Sequence, residues 1–153
     1  MDPYTPPPGS RGIVSVLETA RSHLTRLAPA EAYSYLQKNN NKTLEETASP
    51  RPPAVLVDIR PSAQREEHGQ ITGALIIERN VLEWRFDPRC EARLKIADRY
   101  DLRVIVMCQE GYTSSLAAFA LRDLGLWNAT DVVGGIKAVC ICFLYWELTA
   151  GTN

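Results

Sequence analysis

The chain has 153 residues, which is the size of one domain and long enough to bury a sizeable hydrophobic core. A hydrophobic fraction of 45% and a charged fraction of 23% are ordinary for a globular protein and exclude a fibrous or disordered chain. Seventeen basic and eighteen acidic residues give a formal net charge of -1. No global charge therefore draws the protein to nucleic acid or to an anionic membrane.

Targeting signals and cysteine spacing bear on the compartment. The first twelve residues lack the charged start and apolar core of a secretory signal, and the longest apolar run, 138–146, is too short to span a bilayer. The cysteines show neither zinc-type pairs nor the dense spacing of a disulfide framework: Cys90, Cys108, Cys140 and Cys142. We therefore predict a cytoplasmic protein with free thiols and no metal site, in which 138–146 forms a buried helix or a partner contact.

The N-terminal third predicts a leader, two helices and a long loop. Residues 1–11 contain four of the ten prolines, which is typical of a flexible leader, and a single domain is expected over 12–153. Apolar residues over 13–27 keep helical spacing, and Pro29 suits the first turn of a second helix. The polar, asparagine-rich stretch within 37–53 predicts a loop of unusual length.

The remainder of the chain alternates between strand and helix patterns. Short aliphatic runs of the kind buried on both faces predict four strands, at 54–59, 73–78, 103–107 and 129–133. Helix formers at amphipathic spacing predict helices over 90–100 and 114–125. Strands separated by helices favour an α/β fold with a parallel sheet and right-handed crossovers.

Cys108 lies where the third of these strands ends and the next helix begins. In open parallel sheets ligands bind at this edge, where a helix N-terminus and free backbone N–H groups stabilise a thiolate. Gly111 allows the loop to bend into an anion-binding nest, and the hydroxyls of Thr113 and Ser114 could add donors. An isolated cysteine is more often a core residue, but this context favours a reactive thiol. No side-chain cation is close in sequence, so backbone donors would have to activate it.

Four motifs in order resemble the rhodanese-like sulfurtransferase family over Pro29–Val139. VLVDIRP at 55–61 resembles the family's first central strand, HGQITGAL at 68–75 resembles the segment that follows it, and VIVMCQEGYTSS at 104–115 is similar to the active-site strand, loop and helix. VVGGIKA at 132–138 resembles the closing Gly-Gly turn. Gln70, Thr72 and Val139 depart from the family's usual residues, in places expected to affect packing more than chemistry.

The resemblance implies a three-layer fold with a parallel sheet of about five strands and helices on both faces. It implies a sulfurtransferase that moves a sulfane sulfur from thiosulfate or a persulfide donor to a thiol or cyanide through a persulfide on Cys108, with no cofactor. The six-residue loop 108–113 lacks the extra residue and the arginine of the related cell-cycle phosphatases, so sulfur chemistry is favoured over phosphoryl chemistry.

The site residues follow from the matched motifs. Cys108 is the catalytic candidate. The substrate-binding candidates are Gln109, Glu110, Gly111, Tyr112, Thr113, Ser114 and Arg60, and the structural candidates are Asp58, Gly73, Gly134 and Gly135. An alternative for Asp58 and Arg60 is that the pair only orders the strand end. Arg65 and Arg79 are expected to be surface charges. Glu110 opposes dianion binding, which predicts weak use of thiosulfate.

Two other functions stay open at this point. The same fold serves as a non-catalytic binding or sensing module, and Cys108 paired with Cys90, Cys140 or Cys142 would make a thiol oxidoreductase. The sulfur donor and thiol acceptor could be small molecules or proteins, and the chain could be a monomer or a homodimer. The sequence assigns no role to the N-terminal helices or to the 37–53 loop.

Overall fold

The computed structural model describes residues 2–40, 52–141 and 148–149. The helices are α1 (Ile13–Ser22), α2 (Pro29–Asn40), α3 (Ser62–His68), α4 (Leu82–Phe86), α5 (Thr113–Asp123) and α6 (Gly135–Ile141). The strands are β1 (Ala54–Asp58), β2 (Gln70–Ile71), β3 (Leu75–Ile76), β4 (Arg103–Met107), β5 (Thr130–Asp131) and β6 (Leu148–Thr149). A 3-10 turn, Arg79–Val81, leads into α4.

The central sheet is parallel and confirms the predicted α/β class. Its order is β3-β1-β4-β5, and β1 pairs with β4 along its whole length, from Ala54 opposite Arg103 to Asp58 opposite Met107. Beside β5, Leu27 forms an isolated parallel bridge with Val132. This single residue lies where a fifth strand of the sheet would be. Within the described residues the sheet therefore has four strands and this bridge, close to the expected five.

Side chains alternate across the sheet and form a core on each face. Val57, Val104 and Val106 pack toward α4 and α5, whereas Leu56, Ile105 and Met107 pack toward α2 and α6. Because helices cover both faces of the sheet, the sequences of β1 and β4 are nearly continuous aliphatic runs. Burying each such side chain stabilises the fold by about 1.5–3 kcal/mol. The expected three layers, with helices on both faces, are confirmed.

Several predicted elements differ from the structure. Helix α1 ends at Ser22, since Leu27 is drawn into the sheet bridge rather than continuing the helix. The helix predicted over 90–100 is wrong: the segment is a series of turns in which the Leu94 N–H donates to the Arg85 oxygen and the Ala97 N–H to the Leu94 oxygen. Helix α3 was not predicted because it buries no residue and so carries no apolar stripe.

The remaining expectations concern segments at or beyond the ends of the described ranges. Residues 2–12 contain no helix or strand and are exposed, while the flexibility of the leader stays a prediction. Helix α2 runs to Asn40, and the rest of the predicted loop up to residue 51 lies outside the described residues. Positions 138–141 of the apolar run belong to α6, whereas 142–147 lie outside the described part. No helix in the described ranges is long and apolar enough to cross a bilayer.

Candidate active site

Cys108 follows the last residue of β4 and lies at the carboxyl end of the sheet, only 8% exposed. Its Sγ accepts hydrogen bonds from the backbone N–H of Gly111 at 3.2 Å and of Ser114 at 3.4 Å. The second donor lies in the first turn of α5, at the positive end of the helix dipole. The predicted backbone nest around the sulfur is therefore present, and it favours a negatively charged sulfur.

Two glycines let the turn after β5 pack beneath the loop. Gly111 has φ +79, and a Cβ there would lie 2.7 Å from the Gly134 nitrogen. Gly135 has φ +60, and a Cβ there would lie 2.4 Å from the Cys108 carbonyl oxygen. The Ile136 N–H donates to that same carbonyl oxygen at 2.9 Å, which ties the start of α6 to the loop. The predicted structural role of the Gly-Gly turn thus has a direct steric reason.

Gly135→Ala is expected to lower the free energy of unfolding by about 2–4 kcal/mol, because it adds left-handed strain and a collision with the loop backbone. Gly73→Ala is the matched control, since Gly73 also has a positive φ, +82, but has nothing within 4 Å of its Cβ position. The control should cost only the strain, about 1–2 kcal/mol. Urea unfolding measures both values, and equal losses would show that the contact with the loop is unimportant.

Asp131 is a buried anchor beneath the loop that the sequence analysis missed. Its Oδ2 accepts from the hydroxyls of Ser114 at 2.9 Å and Ser115 at 2.8 Å, and its Oδ1 accepts from Arg26 Nε at 2.8 Å. The Ser114 hydroxyl is therefore directed to Asp131, and its backbone N–H, not the hydroxyl, contacts the sulfur. The contact between Arg26 and Asp131 joins residues 105 apart in sequence, so no local pattern indicates it.

Arg60 is buried and orders the end of β1. Its Nε donates to Asp58 Oδ1 at 3.0 Å and its Nη2 to Asp58 Oδ2 at 2.7 Å, a two-pronged ion pair. The Nη2 also reaches the Gly69 oxygen at 2.8 Å, and Nη1 donates to Gln109 Oε1 at 3.1 Å. These contacts favour the alternative in which Asp58 and Arg60 order the end of the strand. A substrate contact by Arg60 stays a prediction.

A cavity of about 450 Å³ opens beside the sulfur. Its lining comprises Ile59, Arg60, Pro61, Gln64, Arg79, Cys108, Gln109, Glu110, Tyr112 and Thr113. The cavity brings together most of the predicted substrate-binding residues, with Tyr112 and Thr113 on its exposed side. Ser114 is buried and does not line the cavity. The predicted structural residue Gly73 does not line it either, and a Cβ at Gly73 would have nothing within 4 Å. The substrate-binding roles of these residues remain predictions.

The charges around the cavity differ from the sequence expectation. Arg79, expected to be a simple surface charge, lines the cavity and donates from Nη1 to Glu83 Oε1 at 2.7 Å. Glu110 forms an ion pair with Lys137 of α6, and both side chains are about half exposed. Side-chain cations therefore do approach the site through space, although none lies close to Cys108 in sequence. In the sequence, Lys137 comes directly after the Gly-Gly turn and Ile136. This position could have indicated that a cation lies near the loop.

The other cysteines and metal chemistry receive no support from the geometry. Cys90, Cys108 and Cys140 are free thiols, and Cys142 lies outside the described residues. Within residues 2–40 and 52–141, no group of three His, Cys, Asp or Glu side chains is arranged to hold a metal ion. Cys108 is the cysteine whose sulfur accepts backbone hydrogen bonds from the loop and whose side chain lines a cavity.

Comparison with known proteins places this arrangement in a family. Residues 31–142 match the family model of the rhodanese-like domain. The adenylyltransferase and sulfurtransferase MOCS3-2 of Zea mays is 35% identical over 86 residues, which are 56% of this chain and 17% of the maize protein. The chain thus spans about one sixth of the length of that curated relative.

Solved structures agree with the fold. A protein of unknown function from Rhodopseudomonas palustris, described as a possible tyrosine phosphatase, superposes with a TM-score of 0.75 and 26% identity over 95% of this chain and 99% of its own. Thiosulfate sulfurtransferase from Pseudomonas aeruginosa superposes with a TM-score of 0.63 and 21% identity over 90% of this chain and 22% of its own. With four ordered motifs, a parallel sheet ending at Cys108 and this match over residues 31–142, the chain belongs to the rhodanese-like domain family, as its sequence predicts.

Proposed function

We propose that the protein is a sulfurtransferase that carries a sulfane sulfur on Cys108 between a thiosulfate or persulfide donor and a thiol or cyanide acceptor. The environment of the Cys108 sulfur is the observation that supports this proposal most. Two backbone N–H groups donate to Sγ, and the sulfur opens onto a cavity of about 450 Å³. A site of this kind holds an anionic sulfur and leaves room for a small donor or the end of a larger one.

The reaction proceeds in two displacements. The Cys108 thiolate attacks the sulfane sulfur of the donor, a new S–S bond forms, and the donor's S–S bond breaks with its electron pair leaving on sulfite or on a thiolate. The acceptor thiolate or cyanide then attacks the outer sulfur, and the electron pair of the enzyme's S–S bond returns to Cys108. No net oxidation or reduction takes place, so the step needs no redox partner.

The loop donors stabilise the negative sulfur in both half-reactions. The N–H groups of Gly111 and Ser114 already donate to Sγ, and the Gly-Gly turn and Asp131 hold the loop that presents them. Because these donors are fixed before the reaction, little reorganisation is required as charge moves between the two sulfurs. The backbone donors thus stabilise the thiolate, a role that a neighbouring histidine or cation has in other cysteine enzymes.

A phosphatase is the second candidate, since the Rhodopseudomonas palustris structure is described as a possible tyrosine phosphatase. Phosphoryl chemistry requires donors for three phosphate oxygens, often from an arginine. Residues 109–113 contain no arginine and include the carboxylate of Glu110. Arg60 lines the cavity but is already paired with Asp58. The sulfur reaction is therefore the better fit, and release of phosphate from p-nitrophenyl phosphate by a Cys108-dependent step would favour the alternative.

The proposal is tested by steady-state sulfur transfer to cyanide, measured as thiocyanate. Glutathione persulfide and thiosulfate are compared as donors with the same enzyme. We expect turnover with the persulfide and a higher KM for thiosulfate, as predicted from Glu110. Absence of turnover with both donors, in a chain that unfolds cooperatively, would favour the binding-module alternative.

The ion pair at the cavity mouth is expected to tune thiosulfate use in opposite directions. Glu110→Gln removes a negative charge and should lower the KM for thiosulfate, whereas Lys137→Met should raise it, each by about fivefold or less because both side chains are half exposed. The two variants are controls for each other, and added salt should shrink both effects. Changes in the same direction would show that the loop was disturbed rather than its charge.

A further inference from the structure

The segment that precedes the family match reaches the active-site loop through two arginines. Arg21 lies in the last turn of α1, Arg26 lies between α1 and α2, and both precede residue 31, where the match begins. The Nη2 of Arg21 donates to the Gly111 carbonyl oxygen at 2.9 Å, and the Nη2 of Arg26 donates to the same oxygen at 3.0 Å. Two cations therefore hold one carbonyl of the loop around Cys108.

Arg21 has further contacts with the same region. Its Nε donates to Ser115 Oγ at 3.2 Å, and its guanidinium carbon lies 5.4 Å from the centre of the Tyr112 ring. A planar fork with several donors can make these contacts together, which a lysine ammonium cannot do. The guanidinium thus bridges the loop and the first turn of α5.

The held carbonyl determines where the next amide points. The Gly111 carbonyl and the Tyr112 N–H belong to one planar trans peptide unit, so the two groups point in opposite directions. Since the Gly111 oxygen faces the two guanidiniums, the Tyr112 N–H faces away from them. Charge-assisted hydrogen bonds to the carbonyl also polarise the peptide unit, which strengthens its N–H as a donor.

We propose that Arg21 and Arg26 are positioning residues that hold the Gly111–Tyr112 peptide so that the Tyr112 N–H faces the outer sulfur of a Cys108 persulfide. Neither arginine is among the residues that line the cavity, so both act through the loop and not on the substrate. The inference rests on the proposed function for the identity of the bound sulfur. It gives the N-terminal helix a part in the active site.

Arg21→Met is the informative variant. Arg26 also pairs with the buried Asp131, so its removal would disturb the fold as well as the loop. Arg11→Met is the matched control, because Arg11 is an exposed arginine whose Nη1 donates to Thr19 Oγ1 at 3.0 Å, away from the loop. Arg21→Lys tests whether charge alone is sufficient.

Three measurements are made on each variant: kcat and KM with glutathione persulfide, the rate of Cys108 alkylation by iodoacetamide at one fixed pH, and urea unfolding. For Arg21→Met we expect kcat to fall about tenfold with KM little changed, a smaller loss than removal of a hydrogen-bond donor causes. We expect the alkylation rate to fall by a similar factor, because Gly111, whose carbonyl Arg21 holds, also donates its N–H to the Cys108 sulfur. Arg21→Lys should recover only a small part. Arg11→Met should match the wild type in all three.

The alkylation readout separates the two claims because it requires no sulfur donor. If the wild-type chain transfers no sulfur but Arg21→Met still slows alkylation about tenfold, the proposed function fails, and the role of Arg21 in positioning the loop around the Cys108 sulfur stands. If the wild type transfers sulfur and Arg21→Met matches Arg11→Met in kcat and alkylation, the positioning role is overturned, even where Arg21→Met lowers the unfolding free energy.

Discussion

Cys108→Ser is expected to reduce sulfur transfer to the uncatalysed background, because a serine hydroxyl cannot form the persulfide on which both displacements depend. The substitution changes one nearly buried atom and keeps the side-chain shape. We therefore expect the free energy of unfolding to change by no more than about 1 kcal/mol. Loss of activity without loss of fold is the expected result, measured as thiocyanate formed from glutathione persulfide and cyanide.

Cys90→Ser and Cys140→Ser are the controls for this variant. Both thiols are partly buried, and neither is among the residues that line the cavity. Each control should retain wild-type kcat. A Cys108→Ser protein that still transfers sulfur, or an equal loss in one of the controls, would place the carrier thiol elsewhere and would bring back the thiol oxidoreductase alternative.

Asp131→Asn is expected to lower the stability of the fold strongly. Arg26 donates from Nε to Oδ1 at 2.8 Å and from Nη2 to Oδ2 at 3.0 Å. Asparagine replaces one of these two oxygens by an amide NH2 group. At either position, the new N–H donor would face a guanidinium donor of Arg26. Breaking a buried ion pair in this way costs about 3–5 kcal/mol. Because the Arg26 side chain is 16% exposed, we expect a value near the lower limit, about 3 kcal/mol in urea unfolding.

The same variant should also slow catalysis in the folded protein. Asp131 holds the hydroxyl of Ser114, and the Ser114 N–H is one of the two donors to the Cys108 sulfur. Asp87→Asn is the matched control, because it removes an ion pair with the 66% exposed Arg89 and should cost less than about 1 kcal/mol. Equal losses of stability in the two variants would contradict the anchoring role of Asp131.

The sequence predicted the parts of the site that lie close together along the chain. A strand, a cysteine, a flexible glycine and a helix start follow one another over 103–115, so Cys108 and its backbone donors could be predicted from local patterns. Asp58 and Arg60 lie two residues apart at a strand end, so the role of this pair in ordering the strand end could also be predicted locally.

The parts that were missed depend on how distant segments pack. Arg21 and Arg26 contact Gly111 across 90 and 85 residues, so their position follows from the packing of the N-terminal segment on α5 and β5. Lys137 forms an ion pair with Glu110 only because the Gly-Gly turn brings α6 beneath the loop. The error over 90–100 has a similar cause, because Leu94 and Ala97 contact the core from turns although their spacing is also helical.

The most direct test of this account is the mass of the protein after reaction with one equivalent of glutathione persulfide. The account predicts an increase by one sulfur atom, located by peptide mapping on the fragment that contains Cys108, absent in Cys108→Ser and removed by cyanide. An unchanged mass, an internal disulfide, or a sulfur found on another cysteine would contradict the claim that Cys108 is the sulfur carrier.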